Sequence, residues 1–404
     1  MSAIYPFAAL RPVPASAAAV AAVPYDVVNA DEARMLASGN PQSFLHVSRP
    51  EIDLPAGTDP HSDQVYQHAT ESFQALKKSA PLVVEAVPSF YVYRLTMGAH
   101  VQSGVAACFS IDEYDRDLIK KHEKTRPDKE DDRTRHMLAI GAQTGPVFLT
   151  YRASKKVDAV VAQAVAATPL FDITAPDGVR HEVWQVPASD NAAMTDAFGK
   201  IDALYIADGH HRAASAARAR QTIQSSSAPS AALRSEADHV LAVAFPDNQV
   251  QVLPYNRVVR DLNGATPEAF LKTLGEKFTI TSGGPETPSG KGFVAMFLAG
   301  QWYTLALKTA SDALDVDVLE SSILGPLLGI KDIRTDKRID FVGGIRGTTE
   351  LERQVNMGAY AVAFSLYPVS VNDLMRIADA GGIMPPKSTW FEPKLRDGLL
   401  SHLI

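Results

Sequence analysis

The 404-residue chain has almost no cysteine and no long apolar run. Its only thiol, Cys108, excludes an internal disulfide and any zinc site built on cysteines. No segment reaches the roughly 20 apolar residues that a membrane helix needs. The apolar residues 15–23 are a poor signal peptide, because prolines bracket them and they lack a basic n-region. We therefore predict a cytoplasmic protein with no membrane partner.

Basic residues are also fewer than acidic residues. The chain carries 39 Lys and Arg against 46 Asp and Glu, which gives a formal net charge of −7 at pH 7. An acidic chain has no general attraction to a phosphodiester backbone, so nucleic acid is disfavoured as a partner. The Walker, GxGxxG and HExxH motifs are absent as well, which excludes the commonest nucleotide loops and a zincin-type metal site.

What the chain does contain is an alternation of short strands and helices. Residues 90–96 and 101–110 predict one hairpin, and residues 239–245 and 250–259 predict a second. The run DLNGA near residue 261 indicates a boundary. The sequence therefore predicts an α/β fold with mixed α+β sheets, divided into residues 1–260 and 261–404.

The most informative stretch is LYIADGHHRAASAARAR, in which an apolar strand ends in DGHHR and turns into an alanine-rich helix. Asp208 can hold a divalent cation, Gly209 permits a tight turn, and His210, His211 and Arg212 place donors at the helix N-terminus, where an anion is favoured. A structural Asp-Gly turn is the alternative. If the imidazoles bind phosphate when protonated, binding should depend on pH near neutrality.

A second candidate lies in the charged run KKHEKTRP. Glu123 or His122 can act as a general base, while Lys121 and Arg126 can bind phosphate. The alternative is a solvated charged segment that leads into a helix from Asp128, where charges three and four residues apart form ion pairs.

Two further segments are candidates for substrate binding. In PPKSTWFEPK, Lys387, Ser388 and Thr389 place an ammonium and two hydroxyls together, which suits a phosphate or a carboxylate. The aromatic pair that follows them can equally be a core anchor. Near the N-terminus, Asp26 ends an extended run and competes with Glu123 as the base.

Together, the motifs DGHHR, KKHEKTRPDKEDDR and MPPKSTWFEPKL closely resemble a widespread prokaryotic family catalogued as a domain of unknown function. That family is similar to the ParB/sulfiredoxin-like superfamily, which includes free-serine kinases. The resemblance implies a nucleotide-binding core with large insertions in residues 1–260, and a C-terminal α/β region that contributes PPKSTWF. It also implies that residues 208–212 match the turn that holds phosphate and metal in those kinases.

The leading hypothesis is therefore an ATP-dependent small-molecule kinase, with Mg²⁺ as cofactor and free L-serine as the expected acceptor. Asp208 would hold Mg²⁺, Glu123 would take the hydroxyl proton, and the histidines and arginine of DGHHR would surround the phosphates. Lys387, Ser388 and Thr389, together with Arg126, would bind the carboxylate of the acceptor or the remaining phosphate oxygens. The alternatives are a nucleotide-responsive ParB-like binding or regulatory protein and a phosphohydrolase, and oligomerisation is left open.

Overall fold

A computed structural model describes residues 2–227, 229–307 and 313–404. The chain forms two compact units. The first contains the residues up to Val250 together with Pro393–Ile404, and the second is Gln251–Glu392. The chain thus passes to the second unit ten residues before the predicted boundary, and its last residues return to the first unit.

The secondary structure alternates throughout. The helices are α1 (Ala17–Val20), α2 (Ala30–Ala37), α3 (Leu45–Ser48), α4 (Asp63–Ser79), α5 (Ile111–Asp115), α6 (Pro127–Ile140), α7 (Lys155–Ala164), α8 (Asn191–Phe198), α9 (His210–Ser225), α10 (Ala231–Ala237), α11 (Pro267–Gly275), α12 (Asp315–Leu319), α13 (Gly347–Asn356) and α14 (Val371–Asp379). The strands are β1 (Ile4–Tyr5), β2 (Leu10–Pro12), β3 (Leu82–Val84), β4 (Tyr91–Met97), β5 (His100–Ser110), β6 (Ile119–Lys120), β7 (Ala142–Gln143), β8 (Val147–Tyr151), β9 (Phe171–Thr174), β10 (Arg180–Gln185), β11 (Leu204–Asp208), β12 (His239–Pro246), β13 (Gln251–Leu253), β14 (Tyr255–Val259), β15 (Thr279–Ser282), β16 (Phe293–Leu298), β17 (Gln301–Ala306), β18 (Ile339–Gly343), β19 (Val362–Leu366), β20 (Trp390–Glu392) and β21 (His402–Leu403).

The first unit is built on a mixed sheet with the strand order β6-β11-β8-β12-β5-β4-β10-β9, and β1 pairs with β5. Strand β11 runs parallel to β6 and antiparallel to β8, whereas β8 and β12 are parallel. The predicted α/β class with mixed sheets is confirmed. The predicted hairpin of β4 and β5 is confirmed too, with Tyr91 opposite Ala106 and Met97 opposite His100.

Helices α6 and α9 pack against each other in this unit. Helix α6 begins at Pro127, whose fixed φ suits the first helical position, and ends before Gly141 in a left-handed conformation. Helix α9 is rich in buried alanine, and its small side chains allow a close approach. Ser215 Oγ donates a hydrogen bond of 3.2 Å to the carbonyl of Glu130, which joins the two helices along their length.

The second unit has its own antiparallel sheet, with the order β15-β17-β16-β19-β14-β18, and a ribbon of β13 with β20. Residues 250–259 were predicted to form a hairpin with residues 239–245, and this prediction is wrong. Strand β13 pairs with β20, while β14 pairs with β18 and β19. In the described residues, no helix is both long and apolar enough to span a bilayer.

Candidate functional site

The DGHHR turn, residues 208–212, joins β11 to α9 in the first unit. Strand β11 is buried up to Ala207, and its register against β8 shifts between Ile206 and Asp208, which reorients the end of the strand. Gly209 follows with φ +96, a conformation that favours glycine. A Cβ at this position would lie 3.1 Å from two atoms of the Arg212 guanidinium. Glycine therefore permits both the bend and the position of Arg212.

Arg212 is buried, with 7% of its surface exposed, and its guanidinium is central to the site. Its Nη1 donates to the carbonyl of Pro146 at 2.5 Å and its Nη2 donates to Asp208 Oδ2 at 3.2 Å. Asp26 Oδ2 lies 3.7 Å from Nη2, which places the competing base candidate beside the DGHHR turn. Within the described part of the chain, Arg212 Nε has no hydrogen-bond partner. The guanidinium thus retains a buried donor for a ligand.

Asp208 contacts two cations. In addition to Arg212, Lys394 Nζ lies 3.4 Å from Asp208 Oδ2 and donates a hydrogen bond to it. Burial would raise the pKa of Asp208, but Lys394 and Arg212 outweigh that effect and hold the pKa well below its usual range. The carboxylate is therefore ionised at neutral pH. The sequence prediction missed Lys394, which follows the PPKSTWF segment in the chain.

The imidazoles of His122 and His210 pack edge to face, with ring centroids 4.5 Å apart. The backbone N–H of His122 donates to His210 Nε2 at 3.4 Å. Burial lowers the pKa of His122 to about 4 and that of His210 well below its ordinary value. Burial therefore disfavours the protonated form of His210, and phosphate binding by a protonated imidazole at this turn stays a prediction.

His211 lies where two helices begin. Its Nε2 accepts a hydrogen bond of 3.0 Å from the backbone N–H of Arg126, the N-cap residue of α6. The N-termini of α6 and α9 are thus brought together at this imidazole. Each N-terminus carries a partial positive charge and N–H groups without intrahelical acceptors, so their convergence favours an anion.

Three side chains could hold a metal ion. One ligand atom from each of His122, Glu123 and His210 lies within 4.8 Å of the others. Asp208, the predicted metal ligand, is outside this group. His122 and Glu123, the two catalytic candidates of the KHE segment, therefore lie beside His210 of the DGHHR turn. The spacing of these residues in the sequence does not indicate that contact.

The two other cations predicted to bind phosphate have acidic partners nearby. Lys121 Nζ lies 2.8 Å from Asp117 and 4.0 Å from the ring centroid of Tyr114. The guanidinium of Arg126 forms a double hydrogen bond with Asp128. Their predicted role therefore requires these pairs to open.

The three predicted acceptor ligands belong to the second unit. Lys387 has φ +59 and its Nζ lies 5.5 Å from the ring centroid of Tyr255. Ser388 Oγ donates to the carbonyl of Pro385 at 2.6 Å, and Ser388 lines a cavity of about 180 Å³. Thr389 is half-buried. Their role in substrate binding remains a prediction.

The sequence prediction also missed Asp397, which is 3% exposed. It lines a cavity of about 40 Å³ that is also lined by Tyr25, Arg133 and Arg212. Burial raises the pKa of Asp397 to about 7, against the opposing effect of Arg212. The only signal in the sequence was a charged run, KLRD, in an otherwise apolar C-terminal tail.

Comparison with known proteins gives a family for this chain. A family model described as "Protein of unknown function (DUF1015)" matches residues 4–322, which confirms the family resemblance. No curated protein matches the chain.

Several solved structures are similar to the chain. A free serine kinase in complex with AMP is 13% identical, with a TM-score of 0.36, and the match covers 73% of this chain and 92% of that one. A conserved hypothetical protein from Pyrococcus furiosus is 13% identical, with a TM-score of 0.36 and coverages of 73% and 94%. SbnI from Staphylococcus aureus, truncated at its C-terminus, is 12% identical, with a TM-score of 0.38 and coverages of 72% and 85%.

Proposed function

The chain belongs to the family described as "Protein of unknown function (DUF1015)", and we propose that it is an ATP-dependent kinase acting on the hydroxyl of a small metabolite. The observation that carries the proposal is the convergence of the N-termini of α6 and α9 at His211, beside the buried guanidinium of Arg212. Helix N-termini and arginine are both typical of phosphate sites.

The cations of the site support binding of a phosphate group. Lys394 and Arg212 both contact Asp208, and the Nε of Arg212 is buried without a hydrogen-bond partner among the described residues. A buried donor without an acceptor is costly, and a phosphate oxygen would satisfy it. Phosphoryl transfer depends mainly on positioning and charge neutralisation, which such a cluster supplies.

Two carboxylates compete for the role of base. In the proposed step the acceptor oxygen forms a bond to the γ-phosphorus of ATP, the bond to the β–γ bridging oxygen breaks, and ADP leaves. The hydroxyl proton passes to Asp26 or to Glu123. Asp26 lies 3.7 Å from Arg212, and Glu123 lies beside the His122–His210 pair. If Asp26 is the base, Asp26→Asn should lower kcat far more than Glu123→Gln does. If Glu123 is the base, the order should be reversed.

Mg²⁺ is the expected cofactor and free L-serine the expected acceptor. Mg²⁺ is usually held by one or two carboxylates together with phosphate oxygens and waters, so the single ionised carboxylate of Asp208 fits such a site once phosphate is bound. Bound Mg²⁺ would neutralise charge on the phosphates. Lys387, Ser388 and Thr389 remain the proposed ligands of the acceptor.

The purified chain is to be incubated with ATP, Mg²⁺ and a panel of amino acids and polyols, with ³¹P NMR to detect products. A phosphomonoester signal that requires both ATP and one acceptor is expected. Arg212→Ala should abolish it, whereas Arg218→Ala, on the same helix but paired with Glu130 and Asp131, should retain it. Phosphate release without an acceptor would identify a phosphohydrolase instead, and turnover unchanged in Arg212→Ala would refute the site.

A further inference from the structure

We propose that His122, Glu123 and His210 form a binding site for a transition-metal dication of the zinc class. The three residues come from two separate segments of the chain, since the KHE segment precedes α6 and His210 opens α9. The proposal goes beyond the kinase activity proposed above and holds whether or not the chain transfers phosphate.

The geometry of the three side chains suits a single ion. Zinc binds imidazole nitrogen and carboxylate oxygen at about 2.0–2.2 Å, so the ligands of one ion lie roughly 3–4 Å apart. Here one ligand atom from each side chain already lies within 4.8 Å of the others. Small side-chain rotations therefore bring them into coordination distance.

His122 supplies an independent observation. Its ring is 2% exposed, and neither ring nitrogen forms a hydrogen bond in the part of the chain that the structure describes. The backbone of Ile206 lies near this ring but not in normal hydrogen-bond geometry. A buried imidazole without partners is costly unless it serves a ligand. A metal ion coordinated by one ring nitrogen would supply such a partner.

His210 can join the site at little cost. Its Nε2 accepts a hydrogen bond from the backbone of His122, but the distance of 3.4 Å is at the long limit for such a bond. A metal bond to His210 Nε2 would take the place of this long contact.

The set of donors selects the class of metal. Two imidazoles with one carboxylate suit zinc, cobalt, nickel and iron, whereas Mg²⁺ and Ca²⁺ prefer oxygen ligands throughout. Three protein ligands leave a coordination position open, as catalytic rather than structural zinc sites do. One carboxylate also leaves a bound dication with net positive charge, which would favour an anion at the open position.

The site has a consequence for the identity of the base, and this step rests on the proposed function. If the carboxylate of Glu123 binds metal, it is not available to take the acceptor's proton. Asp26 then becomes the base. Asp26→Asn should abolish phosphoryl transfer and leave metal binding intact, whereas Glu123→Gln should weaken metal binding.

The test is metal binding by the full chain without nucleotide. Protein treated with a chelator is to be titrated with Co²⁺ and followed by visible absorption, and with Zn²⁺ by calorimetry. We expect one ion per chain and intense d–d bands of a low-coordinate site. His122→Ala and Glu123→Gln should each weaken binding by more than about 100-fold, since loss of a direct ligand exceeds the 10–100-fold effect of outer-shell changes.

The matched control is His100→Ala, at the first residue of β5, where the imidazole contacts Gln102. This variant should bind Co²⁺ as the unmodified chain does, and circular dichroism should show that all variants are folded. Glu123→Gln is nearly isosteric, so it tests the site even if His122→Ala unfolds. Absence of stoichiometric binding, or equal affinity in the control and the Glu123→Gln variant, would overturn the proposal.

Discussion

Asp397→Asn should make the protein more stable, and the gain should grow with pH. The carboxyl is buried beside the guanidinium groups of Arg212, Arg133 and Arg396 and the carboxylate of Asp26. Burial raises its pKa from 3.8 to about 7, with Asp26 adding to the shift and the three guanidinium groups opposing it. The folded state therefore favours the protonated acid. An asparagine has nearly the same shape and carries no charge at any pH.

The sign and the size of this pH-dependent gain in stability follow from the linkage between protonation and folding. Because the pKa is higher in the folded state, ionisation destabilises the fold as pH rises above the unfolded value of 3.8, and the penalty is complete above about 7. At 1.36 kcal/mol per pKa unit, the penalty is about 4 kcal/mol at pH 8.5 and about 2 kcal/mol at pH 5. The gain of Asp397→Asn over the unmodified chain should thus increase by roughly 2–3 kcal/mol between these pH values.

The assay is urea unfolding at pH 5 and pH 8.5, followed by tryptophan fluorescence. The informative quantity is how far the stability difference between Asp397→Asn and the unmodified chain changes from pH 5 to pH 8.5. Any loss of contacts in the variant is the same at both pH values and cancels. Asp202→Asn, at an exposed position in the same unit, is the matched control and should show no such change. A gain that is constant with pH, or that shrinks as pH rises, would refute the reasoning.

Three further predictions concern the DGHHR turn, its neighbour Lys394 and helix α9, and all can be checked by urea unfolding at pH 7. Gly209→Ala should lower the free energy of unfolding by about 1–2 kcal/mol, because a left-handed φ is strained for alanine and the new Cβ crowds Arg212. An unchanged urea midpoint would contradict the assigned backbone conformation. Lys394→Met should lower the free energy of unfolding by about 1.5–3 kcal/mol, because it removes a charge-assisted hydrogen bond to Asp208. An unchanged stability would mean that the pair does not form. Arg218→Ala should change stability by less than about 1 kcal/mol, since Arg218 is only half-buried and solvent screens its pairs with Glu130 and Asp131. A larger loss would show that these pairs stabilise the fold more than such screening allows.

Local features of the fold could be predicted from the sequence. The β4–β5 hairpin and the bend from β11 into α9 depend on neighbouring residues, whose alternation and turn residues are visible in the sequence. The partners of residues 251–259 could not be predicted. Their strand pattern is real, but β13 and β14 pair with strands 80 or more residues away, and alternation does not encode the partner.

In the candidate site, too, local features could be predicted from the sequence and long-range contacts could not. The DGHHR turn was predicted because its residues are consecutive. His122 and His210 are 88 residues apart in the chain. Both were predicted to belong to one kinase site, but their spacing does not indicate that the two rings touch. Lys394 and Asp397 were missed because the C-terminal tail reaches the site by long-range pairing, in which Asp397 exchanges backbone hydrogen bonds with Ala22.

The central claim is that the DGHHR turn binds the phosphates of a nucleotide, and calorimetric titration of the full chain with ATP in the presence of Mg²⁺ tests it most directly. We expect saturable binding of one ATP per chain. Affinity should fall at least about tenfold in Arg212→Gln, because a charge-assisted hydrogen bond to phosphate is lost, and should be retained in Arg218→Gln. No binding by the unmodified chain, or equal affinity in all three proteins, would contradict the account.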